Sequence, residues 1–121
     1  MKTALFATIL TIAAAPALAD SYDCLMVEEC FGTDACTSSD WEFTVGTMED
    51  GSLLMSSMAG EMRYELLAED AGYTAWSAAN MATGEVGLMT LTPDWSVVEV
   101  VTMGLYEGAE RTAFAGRCMA R

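Results

Sequence analysis

Four cysteines, ten methionines, 18 acidic residues and no histidine set the chemistry open to this 121-residue chain. Without imidazole there is no Ser-His or Cys-His nucleophile pair, and the usual nitrogen ligands of zinc and haem are missing. Carboxylate-only catalysis is the enzymatic route left. The adjacent pairs Glu28-Glu29 and Glu49-Asp50 fit it badly, because neighbours on a strand face opposite sides. Neither pair shows the spaced Asp/Asn/Gly loop of an EF-hand. Both read as solvated surface. No G-x-S-x-G, G-x-G-x-x-G or P-loop occurs in the sequence. A non-enzymatic protein without a cofactor is expected.

The cysteines are Cys24, Cys30, Cys36 and Cys118. An even count behind an export signal reads as two disulfides. Three pairings are open, and Cys30–Cys36 with Cys24–Cys118 is preferred. The first closes a short loop over Phe31-Gly32-Thr33-Asp34-Ala35, and the second ties the start of the domain to its end. A redox role would need a C-x-x-C or a basic group to favour the thiolate. Here five residues separate each near pair, and Glu28, Glu29 and Asp34 disfavour it. A four-thiolate zinc site would need ribbon spacing that is absent, so no metal is expected there.

Methionine offers a different chemistry. Met48, Met55, Met58 and Met62 cluster in sequence, and Met26, Met81, Met89, Met103 and Met119 follow the same composition. Thioethers suit Cu(I), and an apolar, Met-rich interior could carry it or another small ligand. The competing account is that Met fills an irregular core.

Residues 1–19, MKTALFATILTIAAAPALA, have the form of a secretory signal. Lys2 supplies the positive end, Ala4 to about Ala15 the apolar stretch, and Ala17-Leu18-Ala19 the cleavage pattern. The stretch is too short for a membrane span. The polar Asp20-Ser21-Tyr22-Asp23 before Cys24 does not suit a lipoprotein. A single domain over 20–121 in the periplasm or outside the cell is expected. It would keep all 18 acidic residues and four of the five basic ones, Arg63, Arg111, Arg117 and Arg121. That balance argues against nucleic acid, whose phosphates need Lys and Arg, and permits a basic protein partner. A monomer is expected.

The elements that must position these residues follow a two-residue alternation. Trp41, Phe43 and Val45 share one face, with Glu42 and Thr44 on the other, and Glu49-Asp50-Gly51 is a turn signal. A second apolar run covers 52–58. Over 61–69, Met62, Tyr64, Leu66 and Ala68 alternate with Glu61, Arg63, Glu65 and Glu69, and Leu67 is the exception. A helix over 58–70 competes, through Met58, Met62 and Leu66. Strand is preferred, because helical Glu61, Glu65 and Glu69 would repel along one face. A strand over 73–81 follows. Val86 to Thr92 and Ser96 to Met103 form a hairpin around Pro93-Asp94-Trp95. The last turn is Tyr106 to Glu110 and the last strand Arg111 to Met119. About seven or eight short strands in sequence order predict an all-β antiparallel meander closed into a small barrel, with a β-sandwich as the alternative. A Cys24–Cys118 bridge suits barrel closure.

Aromatic residues at turns are the candidate partner contacts: Trp95 at the hairpin tip first, then Tyr106. A tip aromatic folded back onto the barrel is the competing placement.

Tyr22-Asp23-Cys24, Glu29-Cys30 with Cys36, and the closing Phe114-Ala115-Gly116-Arg117-Cys118 resemble small secreted alphaproteobacterial proteins of uncharacterised function. Tyr22, Cys24 and Cys118 also resemble, more weakly, the frame of the periplasmic and membrane-bound inhibitors of c-type lysozyme. That resemblance implies an eight-stranded barrel and inhibition of a basic envelope hydrolase. The family's Ser-Gly-x-x-Tyr motif has its nearest counterpart in Ala59-Gly60-Glu61-Met62-Arg63-Tyr64, with Ala for Ser and one residue more. The expected function is that of a secreted binding or interaction protein, with a small-ligand or Cu(I) carrier as the alternative.

Overall fold

A computed structural model describes residues 20–106 and 110–121. The cleavage pattern ending at Ala19 and residues 107–109 of the last turn lie outside the described residues. Among the described residues there is no helix, hence none long and apolar enough to cross a membrane.

Among the described residues nine strands form one antiparallel sheet: β1 (Ser21–Phe31), β2 (Thr37–Ser38), β3 (Glu42–Thr47), β4 (Leu53–Ser57), β5 (Gly60–Glu69), β6 (Thr74–Asn80), β7 (Glu85–Leu91), β8 (Val98–Gly104) and β9 (Arg111–Ala120). From β3 to β9 each strand pairs with the next, and β9 pairs with β1, which pairs in turn with β3. The result is a closed eight-stranded barrel, so the meander is as expected and the sandwich is excluded. The two-residue β2 is an extra strand, laid against Glu28 and Glu29.

Alternation decides what lies inside. Cys24 and Met26 of β1, Phe43 and Val45 of β3, Leu53 and Met55 of β4, and Tyr64 of β5 are buried. So are Ala78 of β6, Met89 and Leu91 of β7, Val98 and Val100 of β8, and Cys118 of β9. Met26, Met89 and Met55 thus fill core, whereas Met58, Met81 and Met119 stand out in solvent. Both disulfides are formed as preferred, Cys24–Cys118 and Cys30–Cys36, and such bonds belong to an oxidising environment.

Residues 58–70 are strand and turn, not helix. The Leu67 exception has a physical reason: β5 bulges between Leu66 and Ala68, so Leu67 has no partner on β6. The bulge also corrects the expected facing beyond it. Leu66 pairs with inward Trp76, but Ala68 pairs with Ala75, on the opposite face, and Glu69 with Thr74. A second bulge, between Met26 and Glu28 on β1, leaves Val27 half-exposed.

Candidate functional site

The two ends of the barrel differ. One end holds Tyr22, the start of β4 and the loop between β7 and β8. Trp95 closes it, stacked on Tyr22 with ring centroids 3.8 Å apart and planes at 4°. Trp95 has φ 61, a left-handed conformation that a bulky residue holds only when its surroundings impose it. They do: its amide donates to Thr92 O at 3.0 Å, and its carbonyl accepts from Cys118 N at 2.9 Å. The loop itself is tied by Asp94 Oδ1, which accepts from Ser96 Oγ (2.7 Å), Thr92 Oγ1 (3.0 Å) and Ser96 N (3.1 Å). The sequence candidate Trp95 is therefore folded back, with a face committed to Tyr22.

The same hydrogen bonds, from the Ser96 side chain and amide and then the Thr92 hydroxyl, hold the Asp94 carboxyl below its ordinary value of 3.8. A lowered folded value means the contribution is complete above about pH 3.8 and is lost as pH falls through the lower folded value. We expect the Trp95 indole NMR resonance to broaden over that acid range. Asp94→Ala should show the loosened state at neutral pH, and an unchanged resonance in that variant would refute the assignment.

The opposite end is the mouth. The turns at Met58-Ala59, at 81–84 and after β8 surround it, together with the Cys30–Cys36 loop. Tyr106, the second sequence candidate, stays half-exposed here and braces the rim. Its hydroxyl donates to Met81 O at 2.8 Å, and its ring lies where a Cβ on Gly84 would come within 2.6 Å. Gly84 has φ 71 and belongs to the β6–β7 turn.

Inside the mouth is a pocket of about 130 Å³, lined by Trp41, Met55, Met62, Tyr64, Glu85 and Thr102 among others. Register assembles it. Met55 of β4 faces Met62 of β5 directly, and Glu85 is one inward position before Gly87 on β7. Trp41 is held from two sides, tilted against Phe43 (4.7 Å) and Phe114 (4.6 Å). Tyr64 reaches across from β5 until its hydroxyl lies 2.5 Å from where a Cβ on Gly87 would be. A glycine inside a strand marks such a close approach.

Tyr64 is the unusual member. Its side chain is fully buried, and its hydroxyl has no hydrogen-bond partner among the described residues. Native structures leave few such groups, because an unpaired buried hydroxyl costs free energy. Burial, with a smaller contribution from the charge of Glu85, pushes the phenol up to about 12, so it stays protonated at physiological pH.

Other candidate chemistries are weaker. Glu28, Cys30 and Cys36 come close together, but the two sulfurs are bonded to each other and neither can be the thiolate that a metal binds. A wider groove of about 570 Å³ crosses the outer face of β9, β1, β3 and β4. Of its three ionic residues, Asp23, Glu42 and Arg121, the first and last already pair with each other at 2.8 Å.

Sequence reasoning missed the mouth. Its clearest signal was Gly87, a glycine amid strand residues, followed by Glu85 on the same alternating face as Met89 and Leu91. Compared with protein-family models, curated proteins and solved structures, the chain matches none.

Proposed function

We propose that this chain is a non-enzymatic binding protein, exported by residues 1–19 to the periplasm or beyond, and that the barrel mouth holds its ligand. The observation that carries this is the Tyr64 hydroxyl, buried and without a partner among the described residues, on a side chain that lines a pocket walled also by Trp41, Met55 and Met62, by Glu61 and Glu85, and by the polar Asn80, Thr83 and Thr102. The pocket is well below the roughly 300–1,000 Å³ of sites for drug-sized molecules. It suits a small molecule or one projecting group rather than a fatty acid. Met55 and Met62 make Cu(I) a possible occupant by chemistry, and the carboxylates make an organic one.

The test is a native mass spectrum of the protein taken from its own envelope, beside Tyr64→Phe. An extra mass that disappears on denaturation and is weaker in Tyr64→Phe supports the mouth. Tyr64→Phe removes an unsatisfied hydroxyl, so unliganded protein should be as stable as wild type or more so, by up to about 1 kcal/mol. Marked destabilisation would show instead that the hydroxyl has a structural partner.

A second reading is inhibition of a basic envelope hydrolase such as lysozyme. Residues 20–121 contain four cations and 18 acidic residues, and Arg63 and Arg121 are already paired, with Asp50 at 3.2 Å and Asp23 at 2.8 Å. Most carboxylates thus lack a cation in the sequence to answer them, and a basic partner would supply it. Titrating hydrolase activity should give inhibition at low salt that weakens at high salt. Full activity at a large excess would end that reading.

A further inference from the structure

We infer that the mouth receives an alkylammonium group, from a free amine or from a lysine side chain of a basic partner. This rests on the mouth being the binding site. Three observations point to this chemistry rather than to a neutral or anionic ligand.

The first is charge. Among the described residues the pocket is lined by Glu61 and Glu85 and by no Lys or Arg, so an anion entering it meets like charge there. The second is the wall opposite the charge. Trp41 lines the pocket with its ring already positioned by Phe43 and Phe114, and a cation that reaches the ring face is attracted by its quadrupole without the ring having to be ordered first. Met55 and Met62 add an apolar side on which an alkyl stem can lie while its charged head stays near the carboxylates. The third is the Tyr64 hydroxyl. It is buried and has no partner among the described residues, on a side chain that lines the pocket, and its lone pairs can accept from an N–H donor once a ligand displaces the atoms that cover it. A pocket of about 130 Å³ accommodates a group of this size and little more.

The probe is n-butylammonium chloride at fixed ionic strength, with n-butanol and sodium butyrate as neutral and anionic counterparts and an acetylated lysine amide as the side-chain mimic. Binding is followed by backbone and indole NMR shifts. The expected result is saturable movement of the Trp41 indole and the Met62, Tyr64 and Glu85 amides with the two ammonium probes and none with butanol or butyrate. Glu85→Gln should weaken binding about tenfold, because a charge-assisted hydrogen bond is lost. Glu99→Gln, on the outer face of β8, should leave it unchanged and so exclude a net-charge effect. Butylammonium alone binding points to a free amine; binding by the lysine amide as well points to a partner's side chain.

Saturable movement of the same residues by butanol, butyrate or Cu(I) but not by ammonium would overturn this inference and leave the mouth as a site. No movement at the mouth with any probe would overturn both. If Glu85→Gln fails to fold, Tyr64→Phe is the second variant, expected to weaken ammonium binding by a smaller factor than Glu85→Gln would.

Discussion

Gly116→Ala should cost the barrel about 3 kcal/mol or more, at or above the upper end of what overpacking usually costs. Gly116 of β9 sits between Met26 of β1 and Val98 of β8, next to the place where β1 bulges. A Cβ there would run into Leu25 O and would stand 2.6 Å from Met26 Cα and 2.9 Å from Leu25 C. These are main-chain atoms of the neighbouring strand, so no side chain can rotate to make room. The strands would have to separate where the barrel closes. Gly104→Ala is the control, since nothing lies within 4 Å of its added Cβ. Denaturant unfolding of the two oxidised variants decides the matter. Equal midpoints would mean that the β1–β9 contact is looser than described.

Removing the Cys24–Cys118 bridge should have an effect of similar size through a different mechanism. The bridge joins directly opposed residues of β1 and β9 that are 94 apart in sequence. By loop entropy such a bond stabilises by roughly 4–5 kcal/mol, against about 2 kcal/mol for the six-residue span of Cys30–Cys36. Domains of this size have about 5–15 kcal/mol in all. Cys24→Ala with Cys118→Ala should therefore be largely unfolded or close to it, whereas Cys30→Ala with Cys36→Ala should keep the near-UV signal of packed aromatics. Alanine is the replacement because both Cys24 and Cys118 are buried, and serine would add an unpaired hydroxyl. Comparable loss in both double variants would refute the loop-length account.

Much of the barrel was legible because period-two alternation is a local signal. Trp41, Phe43 and Val45 declared their face, Glu49-Asp50-Gly51 declared a turn, and the even cysteine count declared two bridges. Where alternation fails, the reason is again local. Leu67 and Val27 sit at bulges, and a bulge moves every later residue to the other face, as Ala68 shows. The mouth was not legible because its chemistry is spread over Trp41, just before β3, Tyr64 on β5 and Glu85 on β7. Only the register of β3 through β7 brings them to one end. Trp95 was ambiguous for a related reason: a tip aromatic looks the same in sequence whether it faces solvent or, as here, stacks on Tyr22 from the far end of the chain.

The seam between β1 and β9 also bears on the order in which the molecule can be made. β1 is the first strand of the sheet to leave the ribosome, yet its partner at 111–120 is the last. Until then β1 and β8 each present an unpaired edge, the kind of surface that recruits other chains. Closure is a non-local pairing of the kind that slows folding, and the Cys24–Cys118 bond holds the seam once it has formed. Arg121 N donates to Ser21 O at 3.0 Å, so the start of β1 and the residue after β9 are neighbours. A permuted form of residues 20–121, with Arg121 linked to Asp20 and the chain cut at Ala71-Gly72, would bring β9 and β1 out consecutively. It would turn the most sequence-distant pairing of the sheet into a simple hairpin.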